Sequence, residues 1–248
     1  MVVEFTILDF LNGFFSFLTI LTALIVGLII IKRYLEHKTN VLLFIGLAWM
    51  ALYQPWWPSA FSFLSVLFTG TRFPIQIYLF VGNFFIPVSI TLWFLGVTNL
   101  ILQNKKKILI SFYLILSIIA TILIIYFIFT NYQVIGMYGT GGLFDVEFET
   151  SMVLYLLFLN ATIAITGIMM GRESLSSNDP EIKMKGKFLI LGSLFYTLGG
   201  LLDVGLLNLI PEALVITRTI LILGSIFFYF GLFLPKFVKK LIFRKKNL

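Results

Sequence analysis

The sequence predicts an all-α integral membrane protein: a bundle of seven transmembrane helices with its N-terminus outside and its C-terminus in the cytoplasm. Three observations carry that expectation. The 248-residue chain is 60% hydrophobic and 12% charged, whereas soluble domains are about 45–50% apolar and about 25% charged. Its apolar residues gather into seven runs, and its cations gather between alternate runs.

A spanning helix needs about 20 mainly apolar residues. The runs lie at about 10 to 32, 40 to 57, 75 to 101, 107 to 130, 150 to 171, 187 to 209 and 213 to 235. They make residues 1 to 248 a single transmembrane domain with no space for a soluble catalytic one. The first run follows Glu4 and Asp9 rather than a basic stretch, and no small-residue cleavage site succeeds it, so it is a retained span. The second is the shortest and ends in PWWP at 55 to 58, where each proline restricts its predecessor and removes a backbone donor. Ser59 to Gly70 is too short to span and reads as an interfacial or re-entrant helix on the outer side, the alternative being an eighth span.

Pro87 falls inside the third run and should kink it. After the fourth, Asn131 to Glu149 (NYQVIGMYGTGGLFDVEFE) sets a glycine turn between two short segments able to pair as a β-hairpin. After the fifth, Gly171 to Lys187 is polar, and Ser177, Asn178 and Asp179 before Pro180 suit a helix start. Gly192, Gly199, Gly200 and Gly205 on the sixth run, with Gly224 and Gly231 on the seventh, predict tight packing of these two spans.

Lysine and arginine accumulate in short cytoplasmic loops. Seven spans place Lys32, Arg33, Lys38, Lys105, Lys106, Lys107, Arg172, Lys183, Lys185, Lys187 and the C-terminal cations from Lys236 to Lys246 on one side, sixteen of the eighteen in the chain. The other side keeps Arg72 and Arg218, with Glu4, Asp9, Asp145, Glu147, Glu149 and Glu212. The basic side is therefore cytoplasmic and the membrane is the cell membrane. Trp56, Trp57, Tyr132, Tyr138 and Tyr229 fall near span ends as interface anchors.

Several chemistries lack their obligatory residues. There is no cysteine, and the one histidine, His37, lies in a predicted loop, so paired-histidine haem and histidine-rich metal sites are excluded and no cofactor is expected. The seventh run has no lysine for a retinal Schiff base. The strings GTGG at 139 to 142 and GKFLILG at 186 to 192 lack the phosphate-loop pattern, and no protease constellation is present. No enzyme activity and no nucleic-acid partner are expected.

Ionisable groups inside a membrane are expensive and usually functional. Asp203 lies about 9 Å below the outer end of the sixth span, at 1.5 Å per residue. Arg218 enters the seventh span from the same side, and the two are expected to pair. Two readings stay open: a buried clamp between helices, or the lining of an outward-facing ligand pocket. Gln54 and Tyr53 on the second span, Gln76 and Asn83 on the third and Asn208 on the sixth share that depth and are candidates to join the pocket. Asn160, near mid-membrane, reads as a packing residue. The C-terminal PKFVKKLIFRKKNL, alternating basic and apolar, is either a topology anchor on anionic lipid or a docking surface for a cytoplasmic partner.

The stretch from Asn178, NDPEIKMKGKFLILGSLFYTLGGLLDVGLL, resembles the basic loop and sixth helix of the seven-transmembrane sensor region of prokaryotic histidine kinases. The tryptophan and glutamine of AWMALYQ and the Asn83 to Pro87 segment NFFIP are similar in the same sense. The resemblance covers most of the chain in topology and implies a membrane sensor whose outer cavity receives a signal. The sequence departs from that pattern by ending soon after the seventh run, with no kinase or cyclase. A stand-alone sensor, archaeal by its isoleucine and lysine usage, is then expected to signal through a separate partner, by way of Gly171 to Lys187 and the basic C-terminus. The leading expectation is thus a receptor-like protein binding a small or lipid-like ligand. A transporter or channel component, and a structural subunit of a membrane complex, are the alternatives.

Overall fold

The computed structural model describes residues 5–139, 143–203 and 211–243. Glu4, Gly205, Asn208, Arg244, Lys245, Lys246, the turn residues 140–142 and the side chain of Glu212 lie outside the described residues.

The first apolar run forms α1 (Ile7–His37). Thr6 and Asp9 start it as a reciprocal capping box, and Lys38, in the left-handed region at φ 55°, ends it. Its 31 residues rise about 46 Å. The next run is divided into α2 (Asn40–Leu52), a 3-10 turn (Gln54–Trp56) and α3 (Trp57–Thr69). Pro55 and Pro58 sit in the first turns of the last two, where a missing N–H costs nothing. PWWP therefore closes one helix and opens the next. The segment expected as an interfacial or re-entrant helix is α3, which packs along α1: a Cβ on Gly13 would lie 2.3 Å from the Phe63 ring.

The third run is broken, as Pro87 predicts, into α4 (Ile75–Asn83) and α5 (Ile86–Leu100). Then come α6 (Lys106–Thr130), strands β1 (Gly136–Tyr138) and β2 (Val146–Phe148), α7 (Thr150–Leu175), α8 (Pro180–Asp203), α9 (Pro211–Phe233) and α10 (Lys236–Phe243). The strands pair antiparallel with Met137 opposite Glu147, forming the expected hairpin. The expected start of α8 also forms: Asp179 Oδ1 accepts from the Glu181 N–H at 2.7 Å.

Among the described residues, five helical stretches are long and apolar enough to cross a membrane: Ile7–His37, Ile75–Leu100, Gln103–Thr130, Thr150–Leu175 and Ala213–Phe233. The other two expected runs are α2, whose 13 residues rise about 20 Å, and α8, which carries Lys183, Lys185 and Lys187 in its first turns.

Helix α1 packs between α2 and α9, α8 between α7 and α9, and α5 between α2 and α6. Glycines set the closest approaches. A Cβ on Gly27 would meet the Gly46 carbonyl at 2.9 Å, and one on Gly192 would meet the Phe228 amide at 2.6 Å. At mid-bundle the fully buried rings of Trp49, Trp93 and Phe228 form a layer, with Trp49 stacked on Phe228 at 3.8 Å. Each indole N–H crosses to another helix, Trp49 to Ser225 Oγ at 2.9 Å and Trp93 to Thr166 Oγ1 at 2.8 Å. This satisfies polar atoms that would be costly to leave unpaired in an apolar interior.

Candidate functional site

The end of the bundle that holds the hairpin also holds its buried charges. Asp203 is in the last described turn of α8, and Arg218 is two turns into α9. The Arg218 Nη1 donates to Asp203 Oδ1, the pair expected from the sequence. Arg218 is 1% exposed, so it does not snorkel to an interface. Its Nε donates to Ser16 Oγ on α1 at 3.1 Å, and its backbone carbonyl accepts from Thr19 at 3.4 Å. The second Asp203 oxygen accepts from the Trp56 indole at 2.6 Å. Trp56 is thus a buried ligand of the carboxylate, which corrects the expectation that it anchors at the membrane interface.

A lid of hairpin residues covers this cluster. Phe144 is fully buried against Phe5 and Phe63, and its carbonyl accepts from the Tyr78 hydroxyl at 2.7 Å. Since that hydroxyl gives its one proton to Phe144, the 2.6 Å contact between Ser59 and Tyr78 is donated by Ser59. The Leu143 N–H donates to Asp9 Oδ1 at 2.8 Å, tying the lid to the start of α1. Asp145 follows immediately. Burial and the nearby Asp203 carboxylate push its pKa up to about 6, against the pull of Arg218. On the strand beside it, the Arg72 guanidinium lies 3.9 Å from the Tyr138 ring centre, and burial raises that phenol to about 12.

Compared with known proteins, the chain matches no family model, no curated protein and no solved structure. The reading of the site therefore rests on its geometry.

Next to Asp203 is a cavity of about 60 Å³ between α2, α5, α7 and α8. Apolar groups dominate its wall, including Leu52, Ile86, Leu156 and Ile163, while Trp56, Asn160, Tyr196 and Asp203 supply the polar atoms. Asn160, expected only to pack, forms part of this wall. Its Nδ2 donates to the Thr197 carbonyl at 3.1 Å and its Oδ1 is buried without a partner. Gly200 makes room for it, because a Cβ there would lie 2.5 Å from that nitrogen.

The other sequence candidates do not converge on the cavity. Gln54 is buried and caps the break between α4 and α5: its Nε2 donates to the Val81 carbonyl and its Oε1 accepts from the Phe85 N–H, both at 2.6 Å. Asn83 is buried and turned onto its own helix, donating to the Leu79 carbonyl at 2.8 Å. Gln76 is half-buried on α4 and does not line the cavity. Tyr53 donates to the Leu221 carbonyl at 3.0 Å. Ser16, Trp56, Asp145 and Tyr196 are the site residues the sequence reading missed. A signal existed for the first two: a buried carboxylate and guanidinium have more hydrogen-bonding positions than one contact fills, so neighbouring polar side chains are required.

A second cavity, of about 290 Å³, lies at the opposite, basic end, bordered by Met170, Glu173, Lys185 and Leu189. Along α7 and α8 the layer of Trp49, Trp93 and Phe228 falls between the two cavities, at Thr166 and Gly192. Close by, Glu181 on α8 pairs with Lys239 on α10, and that hydrogen bond holds its carboxyl below the usual range.

Proposed function

We propose that this chain is a receptor-like sensory protein of the cell membrane that binds a small or lipid-like ligand in the cavity beside Asp203. In this reading it crosses the membrane seven times, with the hairpin outside and the basic end in the cytoplasm. The observation that carries the reading is the placement of an ion pair, with Arg218 buried and Asp203 half-buried, at the edge of an apolar cavity, beneath a lid from another part of the chain. Parity supports seven crossings. The Phe5 ring meets Phe144 at 6.1 Å, which an even number of crossings between them accounts for, with α2 and the segment after it returning the chain. Asp145, before α7, likewise lies near Asp203 at the end of α8, which supports α8 as the return of α7.

The aromatic layer favours sensing over transport, because close-packed rings separate the two cavities while linking α2, α8 and α9. A ligand that shifts α8 against α9 repacks this layer and moves the Gly171 to Lys187 segment, where a cytoplasmic partner would read the change together with the basic C-terminus. The test is thermal unfolding in nanodiscs against a metabolite and lipid panel, for wild type and for Leu156→Trp, which fills the cavity. A ligand that raises the wild-type midpoint and leaves the filled variant unmoved is expected. Midpoints that move together, or not at all, would return Asp203 and Arg218 to the role of a structural clamp.

A further inference from the structure

The wall of the cavity beside Asp203 is one-sided in its hydrogen bonding. Each side-chain donor atom in it already has an acceptor: Trp56 Nε1 gives to Asp203, the Tyr196 hydroxyl to the Leu52 carbonyl at 3.1 Å, and Asn160 Nδ2 to Thr197. The amide orientation of Asn160 follows from this network, since the Thr197 carbonyl only accepts and must face the nitrogen. Apart from the second Nδ2 hydrogen of Asn160, what remains open is lone pairs. Asn160 Oδ1 is buried and unpaired, and the Asp203 carboxylate, one helical turn beyond Gly200, has capacity beyond its two bonds. Arg218, the nearest cation, is engaged by Asp203 and Ser16 and is not part of the wall.

We propose that the cavity takes a slim apolar ligand headed by a hydrogen-bond donor, an alcohol or alkylammonium group, which donates to Asn160 Oδ1 and faces the Asp203 carboxylate. This rests on the pocket reading above and narrows it. A carboxylate or phosphate head has no cation in the wall to meet, only the second Nδ2 hydrogen of Asn160, and would face the Asp203 carboxylate, so anions are disfavoured. Size narrows the class further. A dry cavity of roughly 150 Å³ accepts benzene, so the 60 Å³ here suits a short alkyl chain better than a ring.

The test uses n-butanol, n-butylamine and butyrate, matched in length, on the intact protein in phosphatidylcholine nanodiscs at neutral pH. Thermal midpoints are referenced to Leu156→Trp in the same lipid, which cancels effects of the probes on the bilayer. Butanol and butylammonium are expected to raise the wild-type midpoint over this reference and butyrate is not. Asn160→Leu removes the acceptor, and Gly200→Ala, which displaces the Asn160 amide without deleting it, checks the same point in a second background. Both should weaken apparent affinity for the donor-headed probes by about tenfold, the loss of one buried hydrogen bond. Butyrate binding as well as butylammonium overturns the donor assignment and leaves the pocket standing. If none of the three acts on wild type, the inference fails, and the pocket reading is then decided separately by the wider panel.

Discussion

Trp56 donates its indole N–H to one oxygen of Asp203 at 2.6 Å, while Arg218 occupies the other. The carboxylate is therefore shared between a neutral donor on the turn after α2 and a cation on α9, and three separate parts of the chain meet at one side chain. Asp203→Asn leaves a guanidinium that is 1% exposed without a counter-charge, and breaking such a pair costs about 3–5 kcal/mol. The double variant Asp203→Asn, Arg218→Met removes the orphaned charge as well. It is expected to unfold at a higher temperature than Asp203→Asn alone, measured by thermal melting in the same nanodiscs.

Asp145 makes the lid sensitive to pH. Its carboxyl, ordinarily at 3.8, titrates at about 6 in the folded chain, so the folded state holds the proton more tightly than the unfolded one. Stability from this group is then complete below the ordinary value and is lost as pH rises through the window up to about 6. At 1.36 kcal/mol per unit the loss is at most about 3 kcal/mol. Thermal midpoints from pH 4 to 7 are expected to fall more steeply for wild type than for Asp145→Asn. Parallel profiles would mean that Asp145 keeps an ordinary carboxyl.

Gln54 and Pro87 form a compensating pair. The proline interrupts the helix between α4 and α5, and the glutamine amide takes up the Val81 carbonyl and the Phe85 N–H. Gln54→Leu strands both, at about 1–3 kcal/mol for each buried polar group. In a Pro87→Ala background the helix is free to close its own ladder, so the same substitution should cost less. A double-mutant cycle on melting midpoints measures the coupling, and strict additivity would show that the amide caps nothing.

How far the sequence was legible depends on the kind of information each residue carries. Hydropathy marks the helices, Pro180 and Asp179 mark the start of α8, the glycines of GTGG mark the hairpin, and two ionisable residues of opposite sign in apolar runs predict each other. Convergence in three dimensions was not legible. Gln54 and Asn83 share a depth with Asp203, but depth along a helix says nothing of the direction a side chain faces, and both turn to backbone near the Pro87 break. Trp56 looked like an interface residue because tryptophan is common there, and only the turn at Pro55 directs it inward to Asp203. Asn160 looked like packing until Gly200 was seen to hold its amide against the cavity.

Helices α8 and α9 meet at Gly192, where a Cβ would lie 2.6 Å from the Phe228 amide and 2.9 Å from its Cα. Backbone cannot yield as a side chain can, so Gly192→Ala must part the two helices and disturb the stack of Trp49 on Phe228. A cost of about 1–3 kcal/mol is expected for such overpacking, with a change in tryptophan fluorescence as the layer loosens. Gly70→Ala serves as a contrast. A Cβ there meets nothing within 4 Å, so its penalty comes only from the backbone angle of 71°, and the fluorescence should not change.

The number and direction of crossings are open to direct measurement because the chain has no cysteine, so each one introduced is a unique reporter. Met137 on the hairpin is exposed, as are Lys105 and Lys183 near the basic end. In intact cells Met137→Cys is expected to react with a membrane-impermeant maleimide, whereas Lys105→Cys and Lys183→Cys react only after permeabilisation. The pair Lys105 and Lys183 is informative because α6 and α7 lie between them with the hairpin at the turn. Both must fall on one side and the hairpin on the other if each helix crosses once. The same logic applied to α2 uses Lys38→Cys against Arg72→Cys. Protection of the first and labelling of the second would show that α2, with the turn and α3 after it, carries the chain across despite its 13 residues. Labelling of both would remove α2 from the crossings and leave six, and the contact of Phe5 with Phe144 would then have no topological explanation.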